Sequence, residues 1–240
     1  MNITGSVAFV TGGNRGLGAR LVAELLAWGA EKVYLGARDT GSVASDVAAD
    51  PRVRVVALDV TDAASVAAAA KAAPDVTLLV NNAGVLGFGS VLDGDLDLFE
   101  RDVRTNYLGA LRVARAFLPA LRRASGGAAI VNVLTLIALA PMGPMAGYSA
   151  SKAAAHSMTQ ALRAAVAADA ITVVGAYPGG IDTDMLAGVD AAKADPATVA
   201  ARILTAVAAD APVVWPDDAS AGAGAVYLTD PAALEQMLAG

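Results

Sequence analysis

The chain has 240 residues, enough to bury a large core in one α/β domain, and its 56% hydrophobic and 17% charged content argues against disorder. A formal net charge of −6 with no basic stripe makes it a poor partner for nucleic acid, and the lack of cysteine excludes disulfides, thiolate chemistry and Cys-ligated metals. A lone histidine, no apolar run of about 18 residues and an N-terminus without a basic leader argue against a His-based metal site, a membrane span and a signal peptide, so cytoplasmic residence is the expectation.

Strand and helix patterns alternate from the start. Val7-Ala8-Phe9-Val10 is a β-branched apolar run of the kind found in buried parallel strands. It leads into Thr11-Gly12-Gly13-Asn14-Arg15-Gly16-Leu17-Gly18, after which Leu17, Leu21, Val22, Leu25 and Leu26 recur at helical spacing. Strand, glycine-rich turn and helix form the context that cradles a phosphate: glycines let backbone N–H groups approach, and the helix N-terminus is partly positive. A plain turn is the competing reading, since the spacing is Gly-x3-Gly-x-Gly.

A second strand, Lys32–Gly36, ends in Ala37-Arg38-Asp39. At this strand end an acid selects a free ribose 2′-hydroxyl and an arginine accommodates a 2′-phosphate. Arg38, with Arg15 as a second charge, points to NADP(H), whereas Asp39 facing the ribose would favour NAD(H). Val53–Leu58 reads as a third strand, followed by a helix capped by Thr61 and running to about Ala73. The fourth strand, Val76–Val80, ends in Asn81-Asn82-Ala83-Gly84, at the edge where open α/β sheets bind ligands. Val85, Leu86 and Phe88 follow as candidate pocket walls.

A long helix is expected from about Leu96 to Leu121, with Asn106 in its interior, where a mediocre helix former needs a reason to sit. Ala129–Leu134 is the fifth strand, and Thr135 and an apolar loop follow. Tyr148 and Lys152 lie four residues apart at the start of an alanine-rich helix reaching about Ala168, so they share one face and can do acid–base work. His156, one turn on, reads as a helix-surface residue. A sixth strand, Ile171–Ala176, breaks at Tyr177-Pro178-Gly179-Gly180-Ile181-Asp182-Thr183. A short connection over 184–195 and a helix from Pro196 to about Ala209 come next. Trp215 is expected to pack or cap an edge, and Gly224–Leu228 to form a short seventh strand.

Thr11-Gly12-x3-Gly16-x-Gly18, Asn81-Asn82-Ala83-Gly84, Tyr148-x3-Lys152 and Pro178-Gly179 followed by Thr183 together resemble the classical short-chain dehydrogenase/reductase family, over residues 6 to about 186. Asn14-Arg15 and Ala37-Arg38-Asp39 resemble its NADP(H)-preferring, carbonyl-reductase-like branch. The resemblance implies a single-domain, Rossmann-like, doubly wound parallel sheet of about seven strands with helices on both faces, spanning 1–240 and without a separate substrate domain. It implies that Tyr148 is the proton donor, that Lys152 lowers its pKa and holds the nicotinamide ribose, and that Asn106 anchors a relay water. Pro178, Gly179, Ile181 and Thr183 would bind the nicotinamide end, Asp59 and Val60 the adenine, and Gly12, Asn14, Arg15, Gly16, Leu17, Gly18, Arg38, Asn81, Ala83 and Gly84 the remainder of the cofactor. The family's catalytic serine position holds Thr135, which keeps the hydroxyl but adds a methyl.

The expected activity is NADP(H)-dependent interconversion of a ketone or aldehyde and an alcohol. Val85, Leu86, Phe88, Leu136, Ile137, Met142, Met145, Met185 and Leu186 suggest an apolar substrate. A cofactor-binding sensor without turnover, or an isomerase or dehydratase using the same pair, are the alternatives. A homodimer or homotetramer is implied, with the Asn106 and Tyr148 helices at an interface.

Overall fold

The computed structural model describes residues 1–239. Seven strands, β1 (Val7–Thr11), β2 (Lys32–Ala37), β3 (Val53–Ala57), β4 (Leu78–Asn81), β5 (Ala128–Val133), β6 (Ile171–Ala176) and β7 (Val213–Val214), form one sheet in the order β3-β2-β1-β4-β5-β6-β7. Every neighbouring pair is parallel. In chain order the helices are α1 (Gly16–Ala27), α2 (Ser45–Ala49), α3 (Ala63–Ala72), α4 (Leu96–Asp102), α5 (Ala110–Arg123), α6 (Ala146–Ala165), α7 (Pro196–Ala208), α8 (Asp218–Thr229) and α9 (Pro231–Ala239).

Alternation along each strand divides the core in two. Ala8, Val10, Leu78, Val80, Ala129 and Val131 face one side, where Leu21 and Leu25 of α1 and Ile203 and Leu204 of α7 cover them. Phe9, Leu79, Ile130 and Val173 face the other, against Val66 of α3 and Val113, Phe117 and Leu121 of α5. Strands apolar on both faces need helices on both faces, which is the doubly wound, Rossmann-like arrangement. Strand order reverses between β1 and β4, so the connections that leave the carboxyl ends of these two paired strands run to opposite faces of the sheet, the position where open α/β sheets form a ligand crevice.

Several sequence expectations are corrected. Gly224–Leu228 is not a strand but part of α8, and the seventh strand is Val213–Val214, paired with Gly175 and Ala176. Local capping explains this: Asp217 accepts from Ser220 N while Ser220 Oγ closes the reciprocal contact, a box that starts a helix on an alanine-rich run. Gly224 is required there, because a Cβ would collide with the Trp215 indole, and Trp215 in turn packs at a tilt against Tyr177 at the edge of the sheet. The cap of α3 is Asp62, which accepts from Ala64 N and Ser65 N, whereas the Thr61 hydroxyl donates to Asp59. The helix expected over 96–121 is interrupted by a π-helical segment, Val103–Gly109, between α4 and α5. Helix α6 begins two residues before Tyr148 and ends at Ala165.

Candidate active site

The glycine loop joins β1 to α1. Gly12 and Gly16 have φ of +65° and +55°, the left-handed region where a side chain is strained. A Cβ at Gly18 would collide with the Gly12 carbonyl, so this position sets how closely helix and loop approach. The α1 cap residue, Arg15, makes no side-chain cap bond, and the first turn carries no acid. Its leading N–H groups are therefore free to meet an anion. Leu17 sits inward, and Asn14 donates to Ser42 Oγ, which ties the loop to the turn after β2. These features fit a dinucleotide pyrophosphate.

The carboxyl end of β4 is stitched to this loop. Thr11 Oγ1 accepts from Asn82 N (3.0 Å) and Ala83 N (2.9 Å), while Asn82 Nδ2 donates to the Thr11 and Gly12 carbonyls at 3.0 and 3.1 Å. Asn81 is buried and donates to Asn132 Oδ1, which continues through Asn132 to Thr159. Thr11 and Asn82 thus fix the glycine loop against the end of β4. The sequence motifs contain both residues, but their mutual bonding required the fold.

After β2 the two rivals separate. The Asp39 carboxylate folds back onto Gly41 N at 2.9 Å and caps the short turn Thr40–Ser42, whereas Arg38 is exposed. Asp59 accepts from the Thr61 amide and hydroxyl, which holds its carboxyl below the usual range, with Arg38 and Arg112 adding to the effect. The neighbouring Val60 carbonyl accepts from Arg112 at 2.7 Å.

Tyr148 and Lys152 are buried together on α6, with Lys152 Nζ 5.8 Å from the phenol ring centroid. Lys152 donates to the Val133 carbonyl at the end of β5 at 2.7 Å. Burial pushes the lysine down to about 8, opposed by the negative charge of Asp102. The phenol is shifted above its ordinary value by burial first and by Asp102 second, opposite to the lowering expected from its lysine neighbour. Ser151 Oγ donates to the Tyr148 carbonyl and accepts from Asn106.

Asn106 lies in the π-helical segment, buried. Its Oδ1 accepts from Val85 N, and its Nδ2 donates to Val85 O and Ser151 Oγ, all at 2.9 Å. Both amide hydrogens are engaged, so the side chain clamps the segment after β4. A Cβ at Gly84 would stand 3.2 Å from Asn106 Oδ1 and 3.8 Å from Lys152 Nζ, so the space left by the missing side chain lies between those two groups.

Thr135 is buried in extended backbone, and its hydroxyl donates to the Pro178 carbonyl at 3.2 Å. Gly179 N donates to Asp217 at 2.9 Å, so the cap of α8 also holds the loop after β6. Thr183 reaches the glycine loop from that side: a Cβ at Gly16 would lie 3.3 Å from its methyl. Ile181 and Ala194 form an isolated parallel bridge, which draws the two ends of the connection over 184–195 together. Of the expected apolar walls, Leu136 belongs to a core cluster with Leu234, while Phe88 and Met185 are exposed. His156 is half-buried rather than a surface residue, with Nδ1 2.7 Å from Tyr177 Oη.

Sequence reasoning passed over Asp102, a fully buried carboxylate beside this site. The signal was its spacing: an acid four residues before Asn106, on the stripe that continues through Gly109 and Val113 into the core. Among the described residues no cluster of metal-ligating side chains occurs, and no helix is long and apolar enough to cross a membrane.

The family profile described as "short chain dehydrogenase" matches residues 6–194. Among curated proteins, the short chain dehydrogenase tazN of Aspergillus terreus is 36% identical over 198 residues, covering 78% of this chain and 43% of that protein. The short chain dehydrogenase pigC of Monascus ruber is 34% identical over 199 residues, covering 77% of this chain and 65% of that protein. The chain thus spans less than two thirds of the length of either relative. A short chain dehydrogenase from Burkholderia cenocepacia, solved in complex with NADP, is 40% identical and superposes with a TM-score of 0.93 over 99% of both chains. By that profile match, which takes in the glycine loop, the β4 end and the Tyr148–Lys152 helix, the chain belongs to the short-chain dehydrogenase/reductase family.

Proposed function

We propose that the protein is an NADP(H)-dependent oxidoreductase, a ketoreductase or alcohol dehydrogenase interconverting a ketone or aldehyde and its alcohol. The observation that carries this reading is the joint burial of Tyr148 and Lys152 beside the strand-order crevice, with the lysine anchored on Val133 O. A phenol and an ammonium without other partners of opposite charge in direct contact form an acid–base pair aimed at a substrate oxygen.

The nicotinamide cofactor supplies the hydride. Tyr148 Oη gives its proton to the carbonyl oxygen during reduction and takes it back during oxidation. Lys152, as an ammonium, stabilises the phenolate that reduction leaves behind and reaches the nicotinamide ribose. Thr135 holds the substrate oxygen when its hydroxyl turns from Pro178. Asn106 and Lys152 flank the gap at Gly84, which is suited to one water passing protons to the lysine.

Gly12, Asn14, Arg15, Gly16, Leu17 and Gly18 hold the pyrophosphate and adenosine side, together with Asn81, Ala83 and Gly84 from β4. Asp59 and Val60 meet the adenine, and Pro178, Gly179, Ile181 and Thr183 the nicotinamide end. NADP(H) is favoured over NAD(H) because Asp39 is engaged with Gly41 N while Arg38 is free for a 2′-phosphate. The NADP bound by the Burkholderia relative supports the same choice.

The substrate is a small hydrophobic carbonyl compound or alcohol, handled by one catalytic domain with residues 184–195 as a short substrate loop. An apolar groove of about 500 Å³, lined by Val91, Phe99, Val103, Leu108, Gly147 and Ala150, lies between the Asn106 and Tyr148 helices. It supports a homodimer or homotetramer built on that face. The test is NADPH oxidation, followed by absorbance, against a panel of ketones and aldehydes. Turnover that disappears in Tyr148→Phe supports the reading. Tight NADPH binding without oxidation by any carbonyl sinks it.

A further inference from the structure

The segment after β4 is pinned at every second residue. Val85 is held at both backbone groups by Asn106, Gly87 N donates to Asp102 Oδ2 at 2.9 Å, and Gly89 exchanges bonds with Pro144 O (2.8 Å) and Ala146 N (3.1 Å) just before Tyr148. Asp102 and Asn106 share the buried stripe of one helical run, so a single element fixes the strap that borders the site. Asp102 Oδ1 accepts from Arg101 Nη2 at 2.9 Å and Nε at 3.3 Å. Asp102 is fully buried, while Arg101 is partly exposed. Gly87 is fitted to this carboxylate: a Cβ there would lie 3.2 Å from Asp102 Oδ2.

We propose that Asp102 is a positioning residue of the site: its carboxylate fixes the strap through Gly87 and presents a buried negative charge to the Tyr148–Lys152 pair, keeping Lys152 an ammonium. This inference rests on the proposed catalytic reading for its kinetic consequence, but not for its electrostatics. The charges facing Asp102 are few. Helix α6 packs directly on this run, with Phe99 of α4 against Gly147 and Asn106 bonded to Ser151, and it offers Tyr148 and Lys152; α4 offers Arg101, and the strap from Val85 to Gly89 carries no titratable side chain. In the π-helical segment Arg104 is exposed and Tyr107 is half-buried. Asp102 acts upward on both members of the pair, while burial alone drives the lysine toward its neutral form. A neutral Lys152 would donate no charge to a phenolate, so the carboxylate preserves the ammonium while itself opposing ionisation of the phenol.

The experiment is a 13Cε-lysine NMR titration of the cofactor-free full chain. It contains four lysines, Lys32, Lys71, Lys152 and Lys193, with Lys152→Ala assigning the signal. Asp102→Asn retains an acceptor for Gly87 N and removes the charge, and the Lys152 midpoint should fall by about one pH unit. Arg101→Gln uncovers the same carboxylate, and the midpoint should rise. The pH profile of kcat/KM for carbonyl reduction should move in the same directions. An unmoved midpoint in both variants overturns the proposal, including when Asp102→Asn lowers activity at every pH by loosening the strap. If Asp102→Asn does not fold, the sign of the Arg101→Gln shift decides. Because the titration needs no turnover, opposite midpoint shifts in a protein that reduces no carbonyl would uphold the electrostatics and reject only the reductase reading.

Discussion

Replacing Thr135 by serine isolates the consequence of one methyl group. The Thr135 hydroxyl is donated to Pro178 O, and its β-branched side chain has few χ1 states in which to leave that bond. Serine lacks the methyl and rotates between Pro178 and a substrate oxygen at lower cost. One neutral hydrogen bond has a net value of about 1 kcal/mol, so kcat/KM should rise about fivefold. Loss of a buried methyl costs about 1 kcal/mol of stability, which for a chain of this size lowers Tm by about 2–4 °C. Steady-state kinetics with NADPH saturating, alongside thermal unfolding of both proteins, measures the two effects. Thr135→Val keeps the volume and removes the hydroxyl, and it should lower kcat/KM about a hundredfold. Unchanged or reduced kcat/KM in Thr135→Ser would refute the reasoning, since it would mean that the threonine hydroxyl already serves the substrate without competition from Pro178.

Gly84→Ala places a methyl between Asn106 Oδ1 and Lys152 Nζ at a position whose φ is not left-handed, so kcat should drop about tenfold or more; full activity would remove the relay water from the mechanism. Arg38→Ala should raise the KM for NADPH about 10- to 100-fold and leave NADH nearly unaffected, a split that kinetics with both cofactors reads directly. Lys152→Met should abolish turnover yet stabilise the protein at pH 7 by about 1 kcal/mol or more, because it removes a buried charge. The pH dependence has a definite sign: below about 8 the lysine is protonated in both states and its burial penalty is complete. Between about 8 and 10.5 the unfolded chain holds a proton that the folded one has released, so wild-type stability rises with pH there and the Lys152→Met advantage shrinks. Denaturant unfolding of both proteins from pH 7 to 10 checks this, and a constant difference would contradict it.

What could be read from the sequence follows from how local each signal is. The parallel strands were legible because Val7–Val10, Val76–Val80 and Ile171–Ala176 are apolar runs closed by glycine, asparagine or proline. Tyr148 and Lys152 were legible because helix geometry alone puts them on one face. Gly224–Leu228 misled because its β-branched valine and tyrosine outweighed a cap seven residues upstream, and Trp215's claim on Gly224 is a tertiary fact. Arg38 and Asp39 could not be separated until the turn at Gly41 had engaged the carboxylate. Asp102 escaped because a charged residue in a helix is ordinarily taken as solvent-facing, and only the π-helical segment and Gly87 place it inside.

The bond from Gly179 N to Asp217 joins the loop after β6 to the start of the C-terminal helix pair. Thermodynamic reciprocity gives that single contact a wider meaning. If the helix pair holds the loop in the form that grips a cofactor, the gripped loop must equally hold the helix pair, and by the same free energy. Saturation at one end of the chain would then be felt as slower fraying at the other, and the tail that carries no family motif would share in the affinity of the site.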